Sequence, residues 1–235
     1  MSRIVHSAGA LLVVDAVTSL GGCPLQVDAW GIDACYSGTQ KCLSCPPGLS
    51  PVTFNQAAID VIRARKSKVQ SWYLDLTMIE KYWGEERVYH HTAPISMNYA
   101  LREALRLVQE EGLTTRFYRH QQNHEALAAG LAAMGMTLAA QEGHRLWTLN
   151  SVTIPNGVDD AIVRRQLLEE YNIEIGAGLG PLRGKVWRIG LMGESSTRSN
   201  VLLVLSALES ILRKQRYSCT LGAGVSAAQA VYAAA

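Results

Sequence analysis

The chain has 235 residues, of which 48% are hydrophobic and 18% charged, and its formal net charge is +2. That balance excludes an intrinsically disordered chain, and with no stripe of Lys or Arg it argues against nucleic acid as a partner. No run approaches the roughly 20 apolar residues of a membrane span.

Met1 to Gly9 is polar and the run Ala10 to Val14 is too short for a secretory h-region. Leu11 to Asp15 is a continuous apolar run ending in a carboxylate, the pattern of a strand buried on both faces. Ile32 to Tyr36 and Pro51 to Phe54 follow as short strands. Gln56 to Arg65, Asp75 to Trp83, Met97 to Glu111 and Asn123 to Met134 carry helical periodicity. After about residue 115 the pattern shifts to strands at Met136 to Ala139, Ser151 to Ile154, Ile173 to Ile175 and Val186 to Leu191. These alternate with helices at Asp159 to Tyr171 and Arg198 to Lys214. Beyond Arg216 there is no charged residue, and Tyr217 to Ala235 is rich in Ala, Gly and Ser, which reads as a weak helix or a loose end.

The alternation predicts an α/β fold with a parallel or mixed sheet over residues 1–115, a small α+β domain over 116–216 and an apolar tail over 217–235. A buried-type strand so close to Met1 has nothing before it to cover its faces. A partner, or sequence further upstream, is expected to supply that cover. Five cysteines, an odd number with four at Cys23, Cys35, Cys42 and Cys45, do not read as a disulfide scaffold, and a reducing cytoplasm is the expected setting.

Four places carry chemistry. Asp15 ends a hydrophobic strand, where a carboxylate either meets a cation or turns out to cap the next turn. Lys41 follows a short strand and a Gly-containing turn, so two neighbouring parallel strands could bring it and Asp15 to one sheet edge, where open α/β folds bind ligands. A solvated lysine is the plainer alternative, although Cys42-Leu-Ser-Cys-Pro-Pro-Gly48 is a poor setting for one. Tyr89-His-His-Thr92 makes a poor metal pair, since adjacent histidines diverge, but its hydroxyls could bond a phosphate. Arg188, inside the apolar strand Val186 to Leu191, needs an anion, either within the chain or on a substrate. Cys42-x-x-Cys45 lacks a second zinc-spaced pair. Gly176-Ala-Gly-Leu-Gly180 is broken by Pro181 as a dinucleotide fingerprint and reads as a tight turn. No metal site is expected.

Taken together, Val13-Val-Asp-Ala-Val-Thr-Ser-Leu-Gly-Gly22, Tyr36-Ser-Gly-Thr-Gln-Lys-Cys-Leu43 with Pro46-Pro-Gly48, Tyr89-His-His-Thr-Ala-Pro94, and Gly178-Leu-Gly-Pro181 with Gly184-Lys-Val-Trp-Arg-Ile-Gly190 resemble the class V aminotransferases. The likeness is greatest to the alanine–glyoxylate/serine–pyruvate group and runs from about Ile4 to Arg213. It implies the fold-type I architecture and pyridoxal 5'-phosphate (PLP) as cofactor. Lys41 would bond covalently to that cofactor, Asp15 would pair with its pyridinium nitrogen, Val17 would pack on the ring and Gln40 would lie near the phosphate. Tyr89 and Thr92 would reach the phosphate in the other subunit of a homodimer, and Arg188 would hold the substrate α-carboxylate. Gln40 in place of His, with no Cys between Cys45 and Cys219, disfavours a cysteine desulfurase.

The implied activity is transamination of alanine or serine with glyoxylate or pyruvate as acceptor, or of ureidoglycine with glyoxylate. Family members carry a longer N-terminal part with a Gly-rich phosphate-binding turn and a ring-stacking aromatic residue. The expectation is therefore a fragment, inactive alone, or a catalytically silent remnant that only associates with a full-length homologue.

Overall fold

The structure is a computed structural model and describes residues 1–234. Two compact units make up the chain. One comprises Met1–Val17, Leu25–Gln40 and Cys45–Glu103; the other comprises Thr18–Pro24, Lys41–Ser44 and the chain from Ala104 onward.

The first unit opens with a short helix, α1 (Ser2–Ser7), followed by β1 (Val13–Asp15), β2 (Ala34–Tyr36) and β3 (Val52–Phe54). The sheet is mixed, in the order β1-β2-β3, with β1 parallel to β2 and β3 antiparallel. Asp33 organises its entry. This buried carboxylate accepts hydrogen bonds from the Leu12 amide (2.7 Å), His6 Nε2 (2.8 Å) and Asn55 Nδ2 (2.7 Å). Those donors, the Leu12 amide first, hold its pKa down at about 2. Asn55 also caps α2 (Gln56–Arg63), its Oδ1 accepting from the Ala58 amide at 3.0 Å, so one side chain ties a strand start to a helix start. Asp75 caps α3 (Leu76–Trp83) in the same manner.

The expected lack of cover over β1 is seen: Val13 is 60% exposed, and β1 is an edge strand of the three-stranded sheet. Beside it Leu12, Val14, Trp30 and Ile32 line an open groove of about 500 Å³. Met1, Ser2 and Arg3 line the same groove, in which Ile32 is buried, Leu12 and Val14 are half-buried and Trp30 is exposed.

α4 (Ile95–Glu111) runs from the first unit into the second. The second unit then contains α5 (Leu113–Ala133), β4 (Leu149–Thr153), α6 (Asp160–Tyr171), β5 (Gly176–Ala177), β6 (Val186–Gly190), α7 (Arg198–Lys214) and α8 (Ala223–Ala233). Its sheet is antiparallel in the order β4-β6-β5. Strand alternation puts Trp187 and Ile189 of β6 into a core with Leu127, Leu131, Leu167, Leu205 and Leu208, and turns Arg188 to the other face. The run Met136 to Ala139 makes only an isolated bridge, Leu138 to Val152, and Ile173 to Ile175 precedes β5 instead of forming it.

The tail differs most from its composition. It forms α8, a packed helix whose Ala228 is fully buried in that core. Glycines make the approach possible: a Cβ at Gly130 of α5 would stand 2.8 Å from the Gly224 carbonyl oxygen. No helix among the described residues is long and apolar enough to cross a membrane, and all five cysteines are free thiols.

Candidate functional site

Asp15 sits at the carboxyl end of β1, opposite Tyr36 at the end of the parallel strand β2. Its Oδ1 accepts from the Val17 amide (2.8 Å) and its Oδ2 from the Tyr36 hydroxyl (2.9 Å). That second bond raises the phenol's pKa, because loss of its proton would break it. The carboxylate is exposed, is fixed in orientation by two donors, and has no cation partner among the described residues. Each oxygen keeps a free lone pair at the edge where parallel strands present ligand-binding groups. Asp15 and Val17 are thus brought together. Beyond them Ser37 donates to the Ala16 carbonyl at 2.9 Å, extending the strand pair past its ladder.

Gln40, the last residue of this unit before Lys41, is exposed and folds back over Gly38, where a Cβ would lie 2.7 Å from its Oε1. Tyr89 and Thr92 are brought together as well: their hydroxyl oxygens are 2.9 Å apart, and Tyr89 is 72% exposed. His90, between them, is buried against the Trp72 ring at 4.1 Å, which fixes the backbone that presents the two hydroxyls.

In the second unit Lys41 starts the segment Lys41–Ser44. Among the described residues its ammonium has no carboxylate partner. Ser44 donates its amide to the Lys41 carbonyl (2.9 Å), closing a turn in which Ser44 itself takes φ +58°. Arg188 offers no ion pair among the described residues either. Its Nε donates to the Ala177 carbonyl at 2.8 Å, and its guanidinium lies flat over Gly176, where a Cβ would approach Nη2 to 3.1 Å. An intramolecular carboxylate, one of the two readings of this arginine, is absent among the described residues.

By residue type each unit holds groups of the kind that bind PLP: in the first an oriented carboxylate without a cation and a hydroxyl pair, in the second a lysine and an arginine without carboxylate partners among the described residues.

A cluster beneath Lys41 escaped the sequence reading. Arg116, buried in α5, donates through Nε to the Gly21 carbonyl (2.9 Å) and through Nη2 to the Cys42 carbonyl (2.6 Å), and pairs with Glu111. Arg119 donates to the carbonyls of Gly193 (2.9 Å) and Ser196 (2.7 Å). The His120 imidazole is pushed to lower pKa by burial first, then by Arg119 and Arg116. These bonds span 73 to 95 residues of sequence and leave no local pattern. The only available signal was an Arg-x-x-Arg-His run, which reads as an ordinary solvated helix face.

Residues 1–187 match the family model described as aminotransferase class-V. The chain belongs to the class-V aminotransferases. It is 45% identical over 241 residues to a (S)-ureidoglycine–glyoxylate transaminase of Bacillus subtilis (strain 168), covering 95% of this chain and 58% of that protein. To the alanine–glyoxylate aminotransferase of Callithrix jacchus it is 44% identical, covering 90% of this chain and 52% of that one. The crystal structure of the ureidoglycine–glyoxylate aminotransferase from Bacillus subtilis superposes with a TM-score of 0.93 at 46% identity, over 99% of this chain and 60% of the other. The chain therefore spans a little over half the length of the relatives it matches. Its fold is that of the fold-type I enzymes, and members of this class-V family are PLP-dependent.

Proposed function

We propose that this class-V chain carries the lysine, the ring-nitrogen carboxylate and the substrate arginine of a PLP-dependent aminotransferase that uses glyoxylate as amino acceptor and a small amino acid, alanine or serine, as donor. The observation that carries the reading is the oriented, cation-free carboxylate of Asp15 at the carboxyl end of parallel strands, in a chain whose Lys41 and Arg188 are likewise without counter-ions. When bound, the PLP ring withdraws electrons from the bond between Cα and hydrogen of the amino acid.

Asp15 holds a proton on the ring nitrogen, and the Val17 amide and Tyr36 hydroxyl keep its carboxylate aimed. Lys41 would hold the cofactor covalently between turnovers, and its released amine would take the proton from Cα as general base and give it up as general acid on the cofactor side. Arg188 binds the α-carboxylate through its planar fork, with Gly176 leaving the space for it. Val17 packs on the ring, Gln40 lies by the phosphate, and Tyr89 and Thr92 offer their hydroxyls to the phosphate of a second subunit in a homodimer.

Ureidoglycine as donor is a second reading. In sequence, the match to the ureidoglycine enzyme extends over 95% of this chain and that to the alanine–glyoxylate relative over 90%. The test is borohydride reduction of PLP-treated protein followed by peptide mapping. Label on Lys41 is expected, and label elsewhere or nowhere would refute the reading. Donor assays with alanine, serine and ureidoglycine against glyoxylate and pyruvate then rank the substrates.

A further inference from the structure

Helix α5 presents Arg116, Arg119 and His120 on one face, at positions i, i+3 and i+4. Their side chains bond backbone atoms of the segment at Gly21 and of two loops, Lys41–Ser44 and Gly193–Ser196. Arg116 holds the Cys42 carbonyl, one residue after Lys41, and the Gly21 carbonyl. Arg119 holds the carbonyls of Gly193 and Ser196, in the loop that follows Arg188's strand. His120 receives the Gly193 amide on Nε2 (3.0 Å). Nε2 must then be a lone pair, and the proton on Nδ1 is donated to the Arg116 carbonyl at 2.7 Å. Glu111 joins both guanidiniums through its two carboxylate oxygens.

The two loops also touch each other directly. The Glu194 amide donates to Ser44 Oγ at 3.0 Å, and Gly193 sits so close that a Cβ there would fall 2.7 Å from the Cys42 carbonyl oxygen. Two arginines and a neutral histidine spent on main-chain carbonyls and an amide form an expensive arrangement for plain packing, since apolar side chains would fill the same volume without a desolvation cost. What the arrangement secures is register between the segment bearing Lys41 and the strand bearing Arg188.

We propose that Arg116, Arg119 and His120 are positioning residues that latch the Lys41 loop to the loop following Arg188, setting where the lysine amine stands relative to the substrate's carboxylate. The inference rests on the roles proposed for Lys41 and Arg188, but the latch itself can be read without cofactor.

The experiment compares His120→Leu, which removes the acceptor, with His120→Gln, which restores one, and Arg116→Met with Arg116→Lys, all in the full chain. Amide hydrogen exchange is followed in residues 41–45, 193–196 and 201–212, and reductive methylation of Lys41 by formaldehyde and cyanoborohydride is followed against pH, with Lys66 and Lys68 as internal standards. His120→Leu is expected to speed exchange about tenfold in both loops, the loss of one buried hydrogen bond to a loop, and Arg116→Met, which loses the bonds to Gly21 and Cys42, at least as much. They should also alter the methylation profile of Lys41 alone and leave 201–212 protected, and His120→Gln should return both readouts toward the parent. Unchanged exchange in 41–45, or equal loss of protection in 201–212, would overturn the proposal. Should those variants not fold, Ser44→Ala at an exposed position removes only the bond to Glu194 and must free 193–196 in the same way. Failure of PLP to label Lys41 in the parent, with the exchange results as expected, refutes the transaminase reading and leaves the latch standing.

Discussion

Gly193→Ala should loosen the Lys41 loop by a calculable amount. Gly193 has φ +56°, a conformation that costs a non-glycine residue about 1 kcal/mol or somewhat more. The added Cβ would stand 1.9 Å from Ser44 Oγ and 2.7 Å from the Cys42 carbonyl oxygen. Ser44 is exposed and can turn its hydroxyl away, giving up its bond to the Glu194 amide. The Cys42 carbonyl cannot retreat so freely, because Arg116 Nη2 grips it at 2.6 Å. Overpacking of this kind costs about 1–3 kcal/mol, so the sum is ~2–4 kcal/mol. Urea denaturation measures it as a lowered midpoint at constant slope. Ser44→Gly in the Gly193→Ala background separates the two contacts: it removes the hydroxyl overlap and suits Ser44's own φ of +58°, yet leaves the carbonyl overlap in place. Partial recovery is therefore expected. A midpoint for Gly193→Ala within ~0.5 kcal/mol of the parent, the scatter of ordinary surface substitutions, would refute the reasoning.

Other consequences follow from single side chains. Asp33 is held at about 2 by the Leu12 amide, His6 and Asn55, below its ordinary 3.8. The folded state thus gains stability above pH 3.8 that is lost as pH falls toward 2, and Asp33→Asn should flatten the acid limb of unfolding measured by circular dichroism. For Gly130→Ala, the helix-propensity gain of about 1 kcal/mol competes with a Cβ placed 2.4 Å from Leu205 Cδ1 and 2.8 Å from the Gly224 carbonyl oxygen. The backbone contact should win, giving net destabilisation and faster proteolysis within α8. Arg188→Lys keeps the charge but loses the planar fork. In the PLP-loaded protein it should raise the donor KM roughly tenfold or more while leaving borohydride labelling of Lys41 unchanged.

Residue pattern alone placed most helices, because their caps and periodicity are local. Asp159 before α6 and Thr197 before α7 cap through their own side chains, accepting from the Ile162 and Asn200 amides, and α7 runs over the predicted Arg198 to Lys214. The motifs around Asp15, Lys41, Tyr89 and Arg188 were equally legible, since each is a contiguous run. What only the tertiary structure decided is contact at long sequence separation. The pairing of Asp15 with Tyr36 and the docking of a charge-free tail as α8 join residues far apart in sequence, and the grip of Arg116 on Cys42 depends on a backbone atom that any residue type could supply. A carbonyl oxygen carries no residue identity, so the side chain that seeks it announces nothing about where it will be found. For β1 the apolar run showed that the strand wants cover, and only the assembled layers show how much of it the described residues provide.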